Sequence, residues 1–348
     1  MRVITDEIID RILSDRVSEP AVTVIGDLNY DYIYSAPSLE RGKEVLISAH
    51  TRSIAGAAGV VSCGLAKLGA RVYLLTSPGS GREGRALFHE VRKRGVACKR
   101  VRPHRDSSGA FTLIFTQEGE TQPRQVATFQ GSLEHFSAKD FNYKRYVAKS
   151  TALYSCNYFI MPRLREEIAE IFAEAKTRKV LTVYDANAGD RWEEKRALET
   201  LTNSILPLTD VVFLNESEAF YLTGEKNPDR SIDKLCPKAS VIVIKRGPEG
   251  VVYRHAGRTG AVGSFPLAGE IRDTVGAGDS FQACFLYFYL KKYPLLFSLV
   301  LGSANAASTL LHFGGTAGQR NREELVSLLR KYSIVHTEKD DVSINLKK

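Results

Sequence analysis

The chain has 348 residues, 43% of them hydrophobic and 25% charged. That excludes a disordered or collagen-like chain and leaves either two domains or one large α/β domain with an attachment. Lys plus Arg number 48 against 40 Asp plus Glu, a formal charge of +8 that could help hold an anionic ligand; the basic residues are interleaved with acids, which argues against nucleic acid and for a solvated surface.

The first residues, MRVITDEIIDRILSDRVSEP, alternate charged and apolar side chains, and Ile8, Ile9, Ile12 and Leu13 suit one face of a short helix rather than a signal peptide. From residue 21 onward β-branched runs alternate with amphipathic segments. Strands are expected over 21–26, 71–76, 96–101, 180–185, 210–214 and 240–245. Helices are expected over 57–69, 82–95, 163–178, 276–291, 295–311 and 321–332. Such alternation requires right-handed crossovers, hence a doubly wound, mostly parallel sheet with its ligand beyond the strands' carboxyl ends. Two places break the pattern: 43–53, and the pair 109–117 and 123–130 around the turn-prone EGETQ. They predict a small antiparallel sheet projecting from the main domain, either a β lid or dimer surface beside the ligand edge or an ordinary edge extension. The expected organisation is an extension over 1–20, one domain over 21–335 and a polar tail over 336–348.

Cys63, Cys98, Cys156, Cys236 and Cys284 are far apart and form no CxxC pair, so they read as small core residues of a reducing, cytoplasmic compartment. The most apolar stretch, 295–311, is broken by Ser298, Ser303, Asn305 and Ser308 and reads as a buried helix rather than a membrane span.

The strongest chemical signal is Asp273-Thr274-Val275-Gly276-Ala277-Gly278-Asp279-Ser280-Phe281, followed by the helix-length run QACFLYFYL. Glycines at a helix start leave backbone N–H groups approachable, and the helix dipole adds positive potential there, which makes an anion cradle. A carboxylate beside a bound phosphate is costly unless it works, and Asp279 is placed to accept a proton from a hydroxyl attacking in line. The other reading of Asp279 is a cap of the first helical turn.

With these residues the sequence resembles the PfkB (ribokinase-like) family of carbohydrate and nucleoside kinases over about residues 21–332. Gly276-Ala277-Gly278-Asp279 matches the GAGD signature. Val24-Ile25-Gly26-Asp27-Leu28-Asn29-Tyr30-Asp31 is similar to the opening strand with its substrate aspartate, and Ala55-Gly56-Ala57-Ala58-Gly59 to the glycine-rich start of the first helix. Asp185-Ala186-Asn187 resembles the DxN strand end, Asn215-Glu216-Ser217-Glu218 the NxxE motif, and Lys245-Arg246-Gly247-Pro248-Glu249-Gly250 the nucleotide loop. The resemblance implies a ribokinase-like fold and an ATP-dependent kinase acting on a hydroxyl, expected to be primary, of a sugar or polyol. Asp279 is then the general base, and the amides of Gly276, Ala277 and Gly278 stabilise the transferring phosphoryl group. Asp31, with Asn29 and Gly56, would hold the substrate. Asn187, Lys245, Gly247, Gly250 and Asn305 would hold the nucleotide, with Glu218 organising Mg²⁺ through water. Asp273, with carbonyls near Gly314, corresponds to a monovalent-cation (K⁺) site of some members. Several relatives dimerise through the lid, which makes a homodimer the expected association.

Two positions depart from the family pattern. Val60 stands where an asparagine commonly touches the substrate, and Gly81 where an aspartate is common, so the acceptor side is altered while the phosphoryl-transfer side is intact. Gly79 to Gly84 also spells GxGxxG before Arg100, Arg102 and Arg105, a dinucleotide-binding reading that leaves the other motifs without work. A nucleoside acceptor would need an aromatic wall, for which Phe111, Phe115, Phe129 and Tyr158 are available. A catalytically silent sugar- or nucleotide-binding regulator on the same fold is the third reading.

Overall fold

The alternating segments form a large sheet flanked by helices, in a computed structural model that describes residues 6–38, 40, 42, 44–100, 108–117, 125–156, 159–187, 195–235, 239–266, 269–336 and 341–346. Cys236, Tyr158, Arg102, Arg105 and the 118–122 turn lie outside the described residues.

Helix α1 (Asp6–Ser14) precedes β1 (Ala21–Ile25). The chain then makes β2 (Asn29–Ala36), β3 (Ala49–Ala55), α2 (Ala57–Leu68), β4 (Arg71–Thr76), α3 (Arg82–Lys93) and β5 (Ala97–Arg100). A second excursion, β6 (Phe111–Gln117) and β7 (Gln125–Phe129), leads to α4 (Tyr143–Val147), β8 (Ala152–Cys156), α5 (Pro162–Thr177), β9 (Leu181–Asp185) and α6 (Lys195–Thr200). Next come β10 (Thr209–Asn215), α7 (Glu216–Thr223), α8 (Pro228–Leu235), β11 (Ala239–Lys245), β12 (Val251–His255) and β13 (Arg258–Val262). Helices α9 (Ala277–Leu290), α10 (Leu295–Leu310) and α11 (Arg322–Leu329) precede β14 (Tyr332–His336) and β15 (Val342–Leu346).

The large sheet runs β14-β15-β13-β12-β11-β10-β9-β8-β1-β4-β5. From β5 to β11 every pairing is parallel. Both faces of that part are therefore covered, and alternate residues go to different cores. Val183, Val211, Phe213, Val241 and Val243 join one core with Phe285 of α9 and Leu299 of α10. Tyr184, Val212, Leu214, Ile242 and Ile244 join the other with Ile168 and Phe172 of α5.

The second sheet runs β3-β2-β6-β7. Its outer pairings are antiparallel, as expected for the lid, but β2 pairs parallel with β6. The reason is topological, since the chain passes through α2, β4, α3 and β5 before it returns to the lid. Residues 29–31, which follow the first strand as expected, open a lid strand of their own. This register sets Asp31 opposite both Ser53 and Thr112.

The segment read as a polar tail carries β15, in which Val342 and Ile344 are buried while Ser343 and Asn345 alternate with them. That period-2 pattern spans only five residues, too few to stand out against the surrounding charges. Helix α9 is anchored at its carboxyl end by the N-terminal extension: Tyr287 Oη donates to Glu19 Oε2 at 2.7 Å, and the buried Lys291 lies 3.5 Å from Asp15. Cys63, Cys98, Cys156 and Cys284 are free and buried. Among the described residues no helix is long and apolar enough to cross a membrane.

Candidate active site

The carboxyl ends of β9, β10 and β11 face the amino end of α9, and a cavity of about 590 Å³ opens between that helix, α10 and the loop after β11. Lys245, Gly247 and Gly250 line it at one end with Thr274, Ala277 and Gly278, and Phe265, Ile271, Phe281, Ala307 and Leu310 make an apolar far end. Gly276 is the N-cap of α9 at φ 70, and a Cβ there would overlap the Cα of Gly315; only glycine accepts both constraints. The first helical acceptance is Ser280 N to Gly276 O at 2.9 Å, while Ala277 N reaches Thr274 O only at 3.5 Å. The amides of Ala277, Gly278 and Asp279 therefore have no acceptor four residues back, which is the anion-binding end of a helix.

Asp279 stands in this first turn. Desolvation at the cleft floor and the Asp185 charge raise its pKa to about 7 against the pull of Lys245, with Asp27 and Asp31 adding to the rise. Lys245 Nζ lies 3.6 Å from Asp185 Oδ1. Desolvation would weaken that ammonium, but Asp185, Glu218 and Asp279 together outweigh it and raise its pKa. Asp185, Glu218 and Asp279 thus surround Lys245 with negative charge at this end of the cavity.

Glu218, expected beside Mg²⁺, is buried and closes a capping box at the start of α7. Its Oε2 accepts from Asn215 N at 2.8 Å, and its own N–H donates to Asn215 Oδ1 at 2.8 Å. The NxxE spacing is thereby a helix-start signature as well as a family motif. Asn187 follows β9 at φ 37, a left-handed conformation that asparagine tolerates better than most residues.

Across the cleft, Asp31 is buried. Asn29 Nδ2 donates to its Oδ1 at 3.1 Å, and Thr112 Oγ1 lies 3.3 Å from the same Asn29 amide. Desolvation raises the Asp31 pKa to about 7; Thr112 and Asn29 oppose the rise, and Asp27 and Asp273 reinforce it. Gly56, at φ 80, allows the backbone to pass Asn29, because a Cβ there would come within 2.8 Å of Asn29 Oδ1. The two oxygens of Asp27 accept from Ala57 N and Ala58 N at 3.1 Å each, which fixes the start of α2 to the end of β1. Thr112 was not foreseen from sequence, because only the β2–β6 pairing brings it to Asp31.

Other assignments change. Asn305 does not face the cavity: it is buried, its Nδ2 donates to Ser280 O at 2.8 Å and its Oδ1 accepts from Arg320 N at 2.8 Å. Both ends of its amide are used in holding α9 to α10, and it is Ser303, Ala306 and Ala307 of the same helix that line the cavity. Asp273 accepts from Val275 N at 2.9 Å and from Gly314 N at 2.8 Å, so it fixes the two loops beside α9 directly. Val60 is buried, and a Cβ on Gly315 would touch its methyls at 3.1 and 3.3 Å. Two glycines of the GxGxxG segment pack against backbone, since a Cβ at Gly79 would meet the amide of Gly109 and one at Gly84 the carbonyl of Pro78, while a Cβ at Gly81 would meet open space. Phe111 and Phe129 lie 5.3 Å apart, and Phe115 stacks on Tyr34 at 5.4 Å, so the lid aromatics pair with one another.

Comparison with known proteins agrees with this layout. Residues 20–322 match the model of the pfkB family of carbohydrate kinases. The 2-dehydro-3-deoxygluconokinase of Bacillus subtilis (strain 168) is 27% identical over 302 residues, covering 85% of this chain and 92% of that protein. The fold is shared with ribokinase from Giardia lamblia, at a TM-score of 0.77 and 17% identity over 90% of this chain and 99% of that one. It is shared equally with Arabidopsis thaliana ribokinase complexed with ribose and ATP, at a TM-score of 0.74 and 18% identity over 90% and 99%. The glycine-framed Asp279, the cavity beside it and the family match across 20–322 together place this chain in the pfkB family of carbohydrate kinases.

Proposed function

We propose that the chain transfers the γ-phosphoryl group of ATP to a hydroxyl, expected to be primary, of a sugar or polyol. The observation that carries this reading is Asp279, in the first turn of a helix whose amides are open, at the mouth of a nucleotide-sized cavity. ATP would lie with its base in the apolar far end and its phosphates toward Lys245 and the α9 amides. Asp31 would accept hydrogen bonds from acceptor hydroxyls, orienting one of them toward Asp279. The acceptor oxygen bonds to phosphorus as the bond to the β-phosphate oxygen breaks, and the hydroxyl proton passes to Asp279. A carboxylate with a pKa of about 7 is a better proton acceptor than an ordinary aspartate and is half ionised at neutral pH.

The donors fit a water-shelled Mg²⁺ that arrives with the nucleotide. Among the described residues there is no cluster of three or more metal-binding side chains, and a sparse site in a negative field suits an ion that keeps most of its waters. Glu218 and Asn187 are the residues that would meet its water shell, and the ion would neutralise charge on the transferring phosphates. A site for K⁺ at Asp273 is the weaker expectation, because backbone amides already engage both carboxylate oxygens.

ATP consumption measured across hexoses, pentoses, deoxy-keto sugar acids, polyols and nucleosides tests the reading. Turnover restricted to a sugar or polyol supports it. Turnover restricted to nucleosides transfers the site to that acceptor class, and binding without turnover of any acceptor identifies a silent regulator. The deoxy-keto sugar acids belong in the panel because of the Bacillus subtilis relative.

A further inference from the structure

Behind Asp279 lies a buried chain of polar groups that links Asp185 of the DxN segment to two residues outside every motif, Gln282 and Tyr154. Tyr154 on β8 and Gln282 on α9 are completely buried. Tyr154 Oη donates to Gln282 Oε1 at 2.5 Å, and Gln282 Nε2 donates to Asp185 Oδ2 at 2.8 Å. The other oxygen of Asp185, Oδ1, is buried, has no hydrogen bond within 3.5 Å among the described residues and faces Lys245 Nζ at 3.6 Å. The ammonium in turn sits at the amino end of α9, where a Cβ on Gly278 would lie 3.3 Å from it. A solitary amide inside an otherwise apolar helix costs stability unless it is fully bonded. Here its carbonyl accepts from Tyr154 and its NH₂ donates to Asp185, so it joins β8 to the carboxylate that faces Lys245.

The geometry points to Gln282 as a positioning residue. We propose that it fixes Asp185 with Oδ1 toward Lys245, so that the carboxylate holds the ammonium at the amino end of α9, within reach of the phosphoryl group as transfer proceeds. This rests on the phosphotransfer reading above. A glutamine suits the task because its carbonyl accepts from Tyr154 while its N–H donates to Asp185, and it adds no charge to a pocket already holding Asp185, Asp279, Asp27 and Glu218. The groups that set the charge state are all in the cleft: Asp279 is faced by Asp185, Lys245, Asp27 and Asp31, and Lys245 by Asp185, Glu218 and Asp279.

Two variants separate positioning from packing. Gln282→Leu keeps the volume and removes the amide, leaving Asp185 Oδ2 unbonded. The expected result is a fall in kcat of about 10- to 100-fold, the range for losing a hydrogen bond to a charged group. Binding of a non-hydrolysable ATP analogue, measured by calorimetry, should stay within about threefold, because the tether matters during transfer and not before it. Gln282→Glu reproduces the amide's pattern only while its carboxyl is protonated, its O–H donating to Asp185 and its carbonyl accepting from Tyr154. Beside Asp185 such a carboxyl titrates well above its ordinary range. This variant should therefore approach wild-type kcat near pH 6 and lose activity toward pH 8, an alkaline limb absent from wild type and from Gln282→Leu. Wild-type kcat in Gln282→Leu overturns the proposal. So does an equal, pH-independent loss in both variants, which would mean that Gln282 only fills space. If the wild-type chain turns over no acceptor, the phosphotransfer reading itself falls, and that outcome is read from the unmodified protein alone.

Discussion

Asp279 and Asp31 stand on opposite sides of one cleft, and desolvation raises the pKa of both to about 7, but the groups that oppose the rise differ. On the donor side the counterweight is a cation, Lys245, tethered to Asp185. On the acceptor side it is a pair of neutral donors, Asn29 and Thr112, contributed by the lid strands. A site for phosphates needs mobile positive charge, whereas a site for hydroxyls needs a carboxylate with lone pairs left over and a rigid aim. The same residue type, desolvated in both places, thus suits the proton acceptor proposed in one and the hydroxyl clamp proposed in the other. What distinguishes them is the chemistry of their neighbours.

The sharpest way to break this division is to remove the two carboxylates separately. Asp279→Asn should lower kcat by about 10³-fold, within the range for losing a general base, while calorimetric affinity for the ATP analogue changes by less than about threefold. Activity near wild type in that variant would end the assignment of Asp279 as the base. Asp31→Asn should act on the other term. Its expected effect is a drop in kcat/KM for the acceptor of about 10- to 100-fold, carried mainly by KM, as for a lost charged hydrogen bond.

Acid pH should silence both sides together. Because both carboxyls titrate at about 7 in the free enzyme, log kcat/KM for the acceptor should fall below pH 7 with a slope approaching two, since each must be ionised. In Asp31→Asn the slope should become one, and a slope of one in wild type would show that only one of the pair matters. The same shifts have a stability cost of definite sign. A carboxyl whose pKa is higher folded than unfolded stabilises the fold while protonated, and that contribution is lost as pH rises from about 4 through 7. Asp279→Asn should therefore melt a few degrees above wild type at pH 8 by scanning calorimetry, with the gap closing below pH 4.

The donor side was far more legible in the sequence than the acceptor side. The cradle is made of backbone, so a short local string, Gly276 to Asp279, states the glycines, the helix start and the carboxylate at once. Lys245, Gly247 and Gly250 are equally local to one loop. Asn305 was misplaced because its distance along α10 does not say which flank of a helix buried all round it will occupy. Its neighbours Ala306 and Ala307 face the cavity while its own amide faces Arg320. Gln282 carried a readable signal, an amide within an apolar helical run, but its partners Tyr154 and Asp185 lie on strands 128 and 97 residues away. The acceptor side depends almost wholly on such distant pairings. Thr112 reaches Asp31 only because β6 returns parallel to β2, and nothing local in either strand specifies that return.

The smallest expected effect concerns how the lid is joined to the main domain. Tyr30 Oη donates to Glu90 Oε1 at 2.7 Å, Arg52 Nη2 meets the same oxygen at 3.1 Å, and Tyr32 Oη donates to Glu83 Oε1 at 2.8 Å. Arg52 also lies over the Tyr30 ring at 4.2 Å. These contacts tie β2 and β3 to α3. Arg52 and Glu90 are both more than a third exposed, so their ion pair is screened and contributes at most about 1 kcal/mol. Glu90→Gln keeps an acceptor for Tyr30 and removes the charge; acceptor KM should change by less than about twofold. Glu90→Ala leaves the Tyr30 hydroxyl without that acceptor and should raise acceptor KM by about three- to tenfold at unchanged kcat, in line with losing one hydrogen bond to a charged group. If Glu90→Ala lowers kcat instead, the lid is not merely holding Asp31 in place but takes part in the transfer step, and the division between an aiming side and a reacting side would have to be redrawn.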